Sequence, residues 1–373
     1  MAQDETNESR LPPARANGPR RLPFGLLGML PLLFAIERQV DRCGPDLSTV
    51  PLLNARYAAA RASQIELNGK VVFLGDSQVK FGVDPREFES RSGRAAVNLA
   101  IAGSPPPASY FLLRRILDRG ARPSAIVVGH MTFAGDLEIQ SPLFHEFVQL
   151  SEAVDLSTST RDPQFLVRLL LPRYLPSIKD RHAIRNATLD TLLSRPQTTG
   201  LRPFEHVALW DSARGAELMD PNPLYGGGME PDKKDTLYGQ PWRVSGLYAH
   251  YFHRLVDLAE KNEIPVYWVV FPIVGDAQFM REQLGHDSAH TQNLRALQKR
   301  HPRLTIFDAR HSHFDTNEFY DSCHLNRLGA TRISAALGDL LARESGDLAG
   351  RIVEIDIMER GQQSALRQER AKR

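Results

Sequence analysis

The chain has 373 residues, of which 42% are hydrophobic and 24% charged, and its formal net charge is +2. That length supports a substantial core, and the dispersed, near-neutral charge excludes a dedicated nucleic-acid binder, which gathers basic residues on one face. Two cysteines, Cys43 and Cys323, are too few for a disulfide framework, and no Cys/His spacing matches a zinc site.

The N-terminus falls into two parts. Residues 1–21 are polar, carry Pro12, Pro13, Gly18 and Pro19, end in Arg20-Arg21, and read as a disordered basic segment. Leu22–Ile36, "LPFGLLGMLPLLFAI", has no charge, and no small-x-small cleavage site follows it. The expectation is an uncleaved membrane anchor. Arg10, Arg15, Arg20 and Arg21 would stay in the cytoplasm and the remaining chain would lie outside. The competing reading is a helix packed on the domain, with the chain cytoplasmic; the run is short of the roughly 20 residues a span needs.

From about residue 45 to 343 the pattern is that of one α/β domain. Five short apolar runs, Val71–Leu74, Ala96–Ala100, Ala125–Gly129, Val266–Phe271 and Leu304–Asp308, read as parallel strands buried on both faces. Amphipathic helices lie between and after them: Tyr110, Leu113 and Leu117 share one face, as do Leu247, Tyr251, Leu255 and Leu258, and then Ile333, Leu337, Leu340 and Leu341. Strands alternating with helices predict an open, doubly wound five-stranded parallel sheet, with ligands beyond the carboxyl ends of its strands. Residues 134–240 interrupt the alternation. They hold helical patterns at Gln164–Pro176 and Lys179–Leu193 and a loop with Gly226-Gly227-Gly228, and read as an insertion placed either as a lid over the site or as structural embellishment. Residues 344–373, rich in Arg, Glu and Gln, read as a solvated charged tail.

The chemistry concentrates at two places. In "VVFLGDSQVKFG", Ser77 lies in the first strand-to-helix loop, where a helix N-terminus offers free N–H groups to developing negative charge. Asp76 and Ser77 are also good N-caps, which is the competing structural reading. A serine nucleophile needs a base and an orienting acid. "FYDSCHLNRLGATRIS" supplies both: Asp321 and His324, three residues apart, lie in a loop after the fifth strand and at the start of the last helix. The flanking glycines of the G-x-S-x-G elbow are absent, so the α/β-hydrolase pattern does not apply.

"GDS" after the first strand and "DSCHLN" before the last helix resemble the blocks of the SGNH or GDSL hydrolase superfamily. The resemblance covers roughly residues 68–133 and 262–342. It implies a three-layer flavodoxin-like α/β fold, Ser77 as nucleophile, Asp321 and His324 as its partners, and an oxyanion hole from the amides of Ser77 and of Gly103 in "NLAIAGSPP". The family's third block is Gly-x-Asn-Asp. Here it is "GHMT", with no asparagine, and His130 or Thr132 is left as a substitute donor. Losing one oxyanion donor typically costs about a hundred- to a thousandfold in rate. That departure is similar to membrane-linked bacterial members that act on cell-surface polymers, such as the alginate acetyltransferase type. The implied reaction is cleavage of a small ester or acylated saccharide without metal or organic cofactor. The alternatives are O-acyl transfer to a polysaccharide and a degenerate binding or scaffold domain.

Three other groups compete for a role. Asp308, His311, His313 and Asp315 in "DARHSHFD" read as a metal cluster or as a polar loop. Cys323 is a second possible nucleophile. Trp242, Tyr248, Tyr251 and Phe252 read as a sugar-stacking surface or as ordinary helix packing.

Overall fold

The computed structural model describes residues 24–47, 50–131, 147–179, 203–231, 241–343 and 348–357, with isolated positions 184–185, 188–189, 192–193 and 234. In chain order the elements are α1 (Phe24–Leu47), α2 (Val50–Ala62), β1 (Val71–Gly75), α3 (Ser77–Gly82), α4 (Pro85–Ser92), β2 (Ala96–Asn98), α5 (Pro106–Asp118) and β3 (Ala125–Gly129). The interrupting segment contributes α6 (Leu150–Thr160), α7 (Pro163–Tyr174), α8 (Pro176–Lys179) and α9 (Pro203–Ser212). Then follow α10 (Gly246–Lys261), β4 (Val266–Val270), α11 (Gly275–Gln283), α12 (His286–Arg300), β5 (Thr305–Asp308), α13 (Arg327–Ala342) and β6 (Ile352–Glu354).

The strands form one all-parallel sheet in the order β2-β1-β3-β4-β5-β6. The sequence accounts for this directly. Continuous apolar runs suit strands covered on both faces, and residues of alternating parity enter two separate cores. Val72, Leu74, Ile126, Val128 and Trp268 pack with α2, α5 and α10 on one face. Val71, Phe73, Val127, Tyr267 and Val269 pack with α3, α4 and α13 on the other.

Two expectations are corrected. The sheet has six strands, because Ile352–Glu354 pairs in parallel with β5 inside the stretch read as a solvated tail. The Ile306 N–H bonds the Arg351 carbonyl at 2.9 Å, and the Ile355 N–H bonds the Asp308 carbonyl at 2.8 Å. A three-residue edge strand among charges gives too short a run to show periodicity. The transmembrane reading of Leu22–Ile36 also fails: among the described residues no helix is long and apolar enough to cross a membrane. The uncharged part of α1 ends at Ile36, before Glu37 and Arg38. Glu37 is buried and accepts hydrogen bonds from the Ser177 N–H and hydroxyl of α8, so the helix docks on the protein through a charged residue.

The insertion divides its loyalties. Phe147, Ala153, Leu156, Phe165 and Leu169 join the core beneath α5 and α10. There Arg115 is clamped to buried Glu152 and donates to the Phe147 carbonyl at 2.6 Å. Thus α6 and α7 extend a helical layer. The later part, from α9 to residue 231, runs to the strand ends and reaches the site described below. The expected helix at Lys179–Leu193 falls largely outside the described residues.

Candidate functional site

The strand order changes direction between β1 and β3, the place where open α/β sheets bind ligands. Gly75 and Gly129 end these two strands and face each other in register. Gly75 has φ +151, and a Cβ there would lie 2.0 Å from the Gly129 carbonyl oxygen, so only glycine fits. The closeness brings the loops after β1 and β3 together.

Ser77 is the first residue of α3, so its N–H lies outside the helical hydrogen-bond ladder. Asp76 is the N-cap, and its carboxylate accepts from the Gln78 N–H at 2.9 Å and from the Met131 N–H at 2.6 Å. One side chain therefore fixes the start of the serine helix and the exit of β3. Burial pushes its pKa up to about 6, against the pull of the Met131 and Gln78 amides and of His324.

The second half comes from residues 315–326. Asn326, fully buried, caps α13 by accepting from the Leu328 and Gly329 N–H groups. Its amide donates to the Asn317 and Phe319 carbonyls. With the Phe319–Leu325 bridge and the Tyr320 N–H to His324 carbonyl bond of 2.8 Å, this closes a tight loop. Within it the Asp321 carboxylate accepts from the Cys323 and His324 N–H groups, both at 2.9 Å, and meets His324 Nδ1 at 2.9 Å. His324 Nε2 lies 2.8 Å from Ser77 Oγ. The Phe81 ring meets the imidazole edge-on at 5.4 Å, and Gln78 ties α3 to the Cys323 carbonyl at 3.3 Å. Asp321, His324 and Ser77 thus form one continuous hydrogen-bonded series, with His324 and Asp321 side chains 17% and 19% exposed.

Gly103 lies exposed, with φ +74, on the turn after β2. The Ile101 N–H and the Ser104 hydroxyl both bond the Gly75 carbonyl, at 2.9 and 3.2 Å, which pins that turn to the strand leading into Ser77. His130 is buried, with Nε2 3.0 Å from Ser109 Oγ and its ring against Tyr248. Burial pushes its pKa down to about 3, so it stays neutral. The nitrogen engaged by Ser109 is not free to serve an oxyanion. Thr132 lies outside the described residues.

The remaining candidates resolve as follows. Cys323 Sγ is 3.4 Å from Asp321 and 3.6 Å from His324 Nδ1, whereas Ser77 is met by Nε2. Asp308 pairs with Arg310 at 2.6 Å, while His311 lies 3.5 Å from Asp287, so "DARHSHFD" does not converge on one point. Tyr248, Tyr251 and Phe252 are buried; Tyr251 bonds Asp155 at 3.0 Å and Phe252 packs on Trp268. Trp242 stacks on His290.

Sequence reasoning missed Lys80. It is fully buried one turn beyond Ser77, with Nζ 2.7 Å from the Gly215 carbonyl and 4.3 Å above the Trp210 ring, and Tyr57 beside it. Burial lowers its pKa to about 7, opposed by Glu217. The Glu217 N–H bonds the Lys80 carbonyl, and the Asn98 N–H bonds the Arg214 carbonyl. Further along, Asn222 donates to the Tyr320 carbonyl, Glu230 accepts from the Ser322 N–H, and the Arg327 N–H bonds the Met219 carbonyl. Residues 214–230 therefore form an arm that braces both halves of the site. The amphipathic signal of "QVKF" conceals it, since a lysine on a short helix reads as solvated.

No family model matches the chain, and no curated protein matches it either.

Proposed function

We propose that the chain is a serine esterase of the SGNH/GDSL type, with the flavodoxin-like three-layer fold of that superfamily extended by β6. The observation that carries this reading is the Asp321–His324–Ser77 series at a helix N-terminus on the carboxyl edge of the sheet. His324 Nε2 takes the Ser77 proton as Oγ attacks the ester carbonyl. Asp321, held in place by the two loop amides, orients the imidazole and stabilises its charged form. The Ser77 and Gly103 amides receive the oxyanion. His324 then protonates the leaving alcohol, and water, deprotonated by the same imidazole, releases the acid from the acyl-enzyme. No cofactor is required by these steps. The substrate class is a small O-acyl, acetyl-like ester, free or on a saccharide.

Hydrolysis of p-nitrophenyl acetate tests the reading. Ser77→Ala and His324→Ala each lower kcat/KM by at least about a thousandfold, and a fluorophosphonate probe labels Ser77 in the parent alone. Parent activity no higher than that of the variants, with no label on Ser77, sinks it.

A further inference from the structure

At the opposite edge of the sheet, α10 ends just before β4 and α12 ends just before β5. His253, Asp257 and Glu260 recur at i, i+4 and i+7 along α10, one face of a helix. His301, the C-cap of α12, is buried beside them. One ligand atom each from Asp257, Glu260 and His301 lie within 4.8 Å of one another.

Three details of this cluster fit a cation. His301 Nδ1 and Asp257 Oδ1 are 3.6 Å apart, too far for a hydrogen bond. The separation is close to the roughly 3.3 Å between two ligands of a tetrahedral ion with bonds of about 2.0–2.1 Å. His301 Nε2 is engaged by His253 Nδ1 at 2.8 Å, which orients the ring and directs Nδ1 at the carboxylates. Metal-bound histidines are commonly held in this way through their second nitrogen. Glu260 Oε1 is buried with no hydrogen-bond partner, a costly state for a carboxylate oxygen that an ion would relieve. Glu260 also lines a cleft with Glu263, Ile264, Arg303 and Leu304.

We propose that His301, Asp257 and Glu260 bind a divalent transition-metal ion of the Zn2+ class, with His253 as the residue that positions His301. The mixed nitrogen and oxygen donors suit Zn2+ and its borderline neighbours over Ca2+ or Mg2+. An ion held there would tie the end of α10 to the end of α12. This site is independent of the esterase reading.

Calorimetric titration of Zn2+ into the full-length chain tests it, with Co2+ absorption as the spectroscopic check. Asp321, Cys323 and His324 could also share an ion, so the titration uses the His324→Ala background. One ion should bind, and Co2+ should give visible ligand-field bands. Asp257→Asn and Glu260→Gln should each weaken binding by at least about tenfold, and His253→Gln by roughly 10- to 100-fold. Asp257 is 61% exposed, so loss in Asp257→Asn cannot be ascribed to misfolding. Affinity unchanged in Asp257→Asn and Glu260→Gln, or no binding at about 100 μM Zn2+, overturns the proposal.

Discussion

Asp76 carries two backbone amides on one buried carboxylate, and burial raises its proton affinity while its neighbours lower it. Burial wins, and the folded pKa of about 6 lies above the unfolded value of 3.8. The folded chain therefore holds this proton more tightly between those values. The associated stability is complete below the unfolded pKa and is lost as pH rises toward 6. Asp76→Asn keeps one carbonyl acceptor but turns an NH2 toward the Gln78 or Met131 N–H, at a cost of about 1–3 kcal/mol. Since the asparagine does not titrate, the stability gap between parent and variant should narrow as pH climbs from about 4 to about 6. Urea melts at both pH values check this; a gap that widens means that the two amides outweigh burial. The Gly-Asp-Ser sequence announced the cap. The second amide, from Met131, comes from another strand and had no signature near Asp76.

Among the elements, the loop before α13 shows what local sequence can and cannot convey. Asp321 and His324 were legible as a pair because their spacing alone lets a tight loop fold one onto the other. Asn326 stands beside them without a signature of its own, because a buried asparagine bonding four backbone groups looks the same in sequence as an exposed cap. Asn326→Ala removes the cap and leaves the Asn317 and Phe319 carbonyls without this donor, so it should cost about 2 kcal/mol or more. If the proposed function holds, kcat on p-nitrophenyl acetate should fall, since the loop holds His324. Unchanged melting temperature and kcat would show that the loop stands without it. Gly75 and Gly129 make the converse case: each reads as an ordinary strand end, and only the folded packing shows that a Cβ on Gly75 would strike the Gly129 carbonyl and one on Gly129 the Phe271 and Val79 side chains.

For the molecule as a whole, the first five strands and the helices between them were legible because both faces of the sheet are buried and every run is apolar. β6 was not: unlike the buried β2 at the other edge, its three residues are only partly buried and lie among charges, held by the neighbouring strand's backbone and by Arg332 reaching the Ile357 carbonyl at 3.1 Å. Nor could the sequence tell that the first half of the insertion belongs to the core, where burial of Arg115 depends on the partner Glu152. Burial also gives the fold an acid sensitivity. His130 has its pKa lowered to about 3, and His290 is shifted in the same direction by burial and by Arg281 and Arg310. Each folded value lies below the unfolded value, so the unfolded chain takes up more protons as pH falls below about 6.5, and stability is lost in that direction. At pH 5 His130 alone accounts for about 2 kcal/mol. The melting temperature should fall between pH 7 and pH 5, and fall less in His130→Gln. Equal slopes in the two proteins would assign the acid sensitivity elsewhere.

The caged Lys80 makes the protein its own gauge of breathing. Above about pH 7 its amine is largely uncharged and chemically reactive, yet the Trp210 ring and the Gly215 carbonyl shut it off from solvent. An amine-acylating reagent can reach it only when the brace formed by residues 214–230 lifts from α3. Mass spectrometry of timed acylation should find exposed Lys261 and Lys299 modified at once and Lys80 far later. The lag would measure how often α3 and its brace part company in the native molecule. Modification of Lys80 as fast as Lys261 would mean that the cage stands open most of the time.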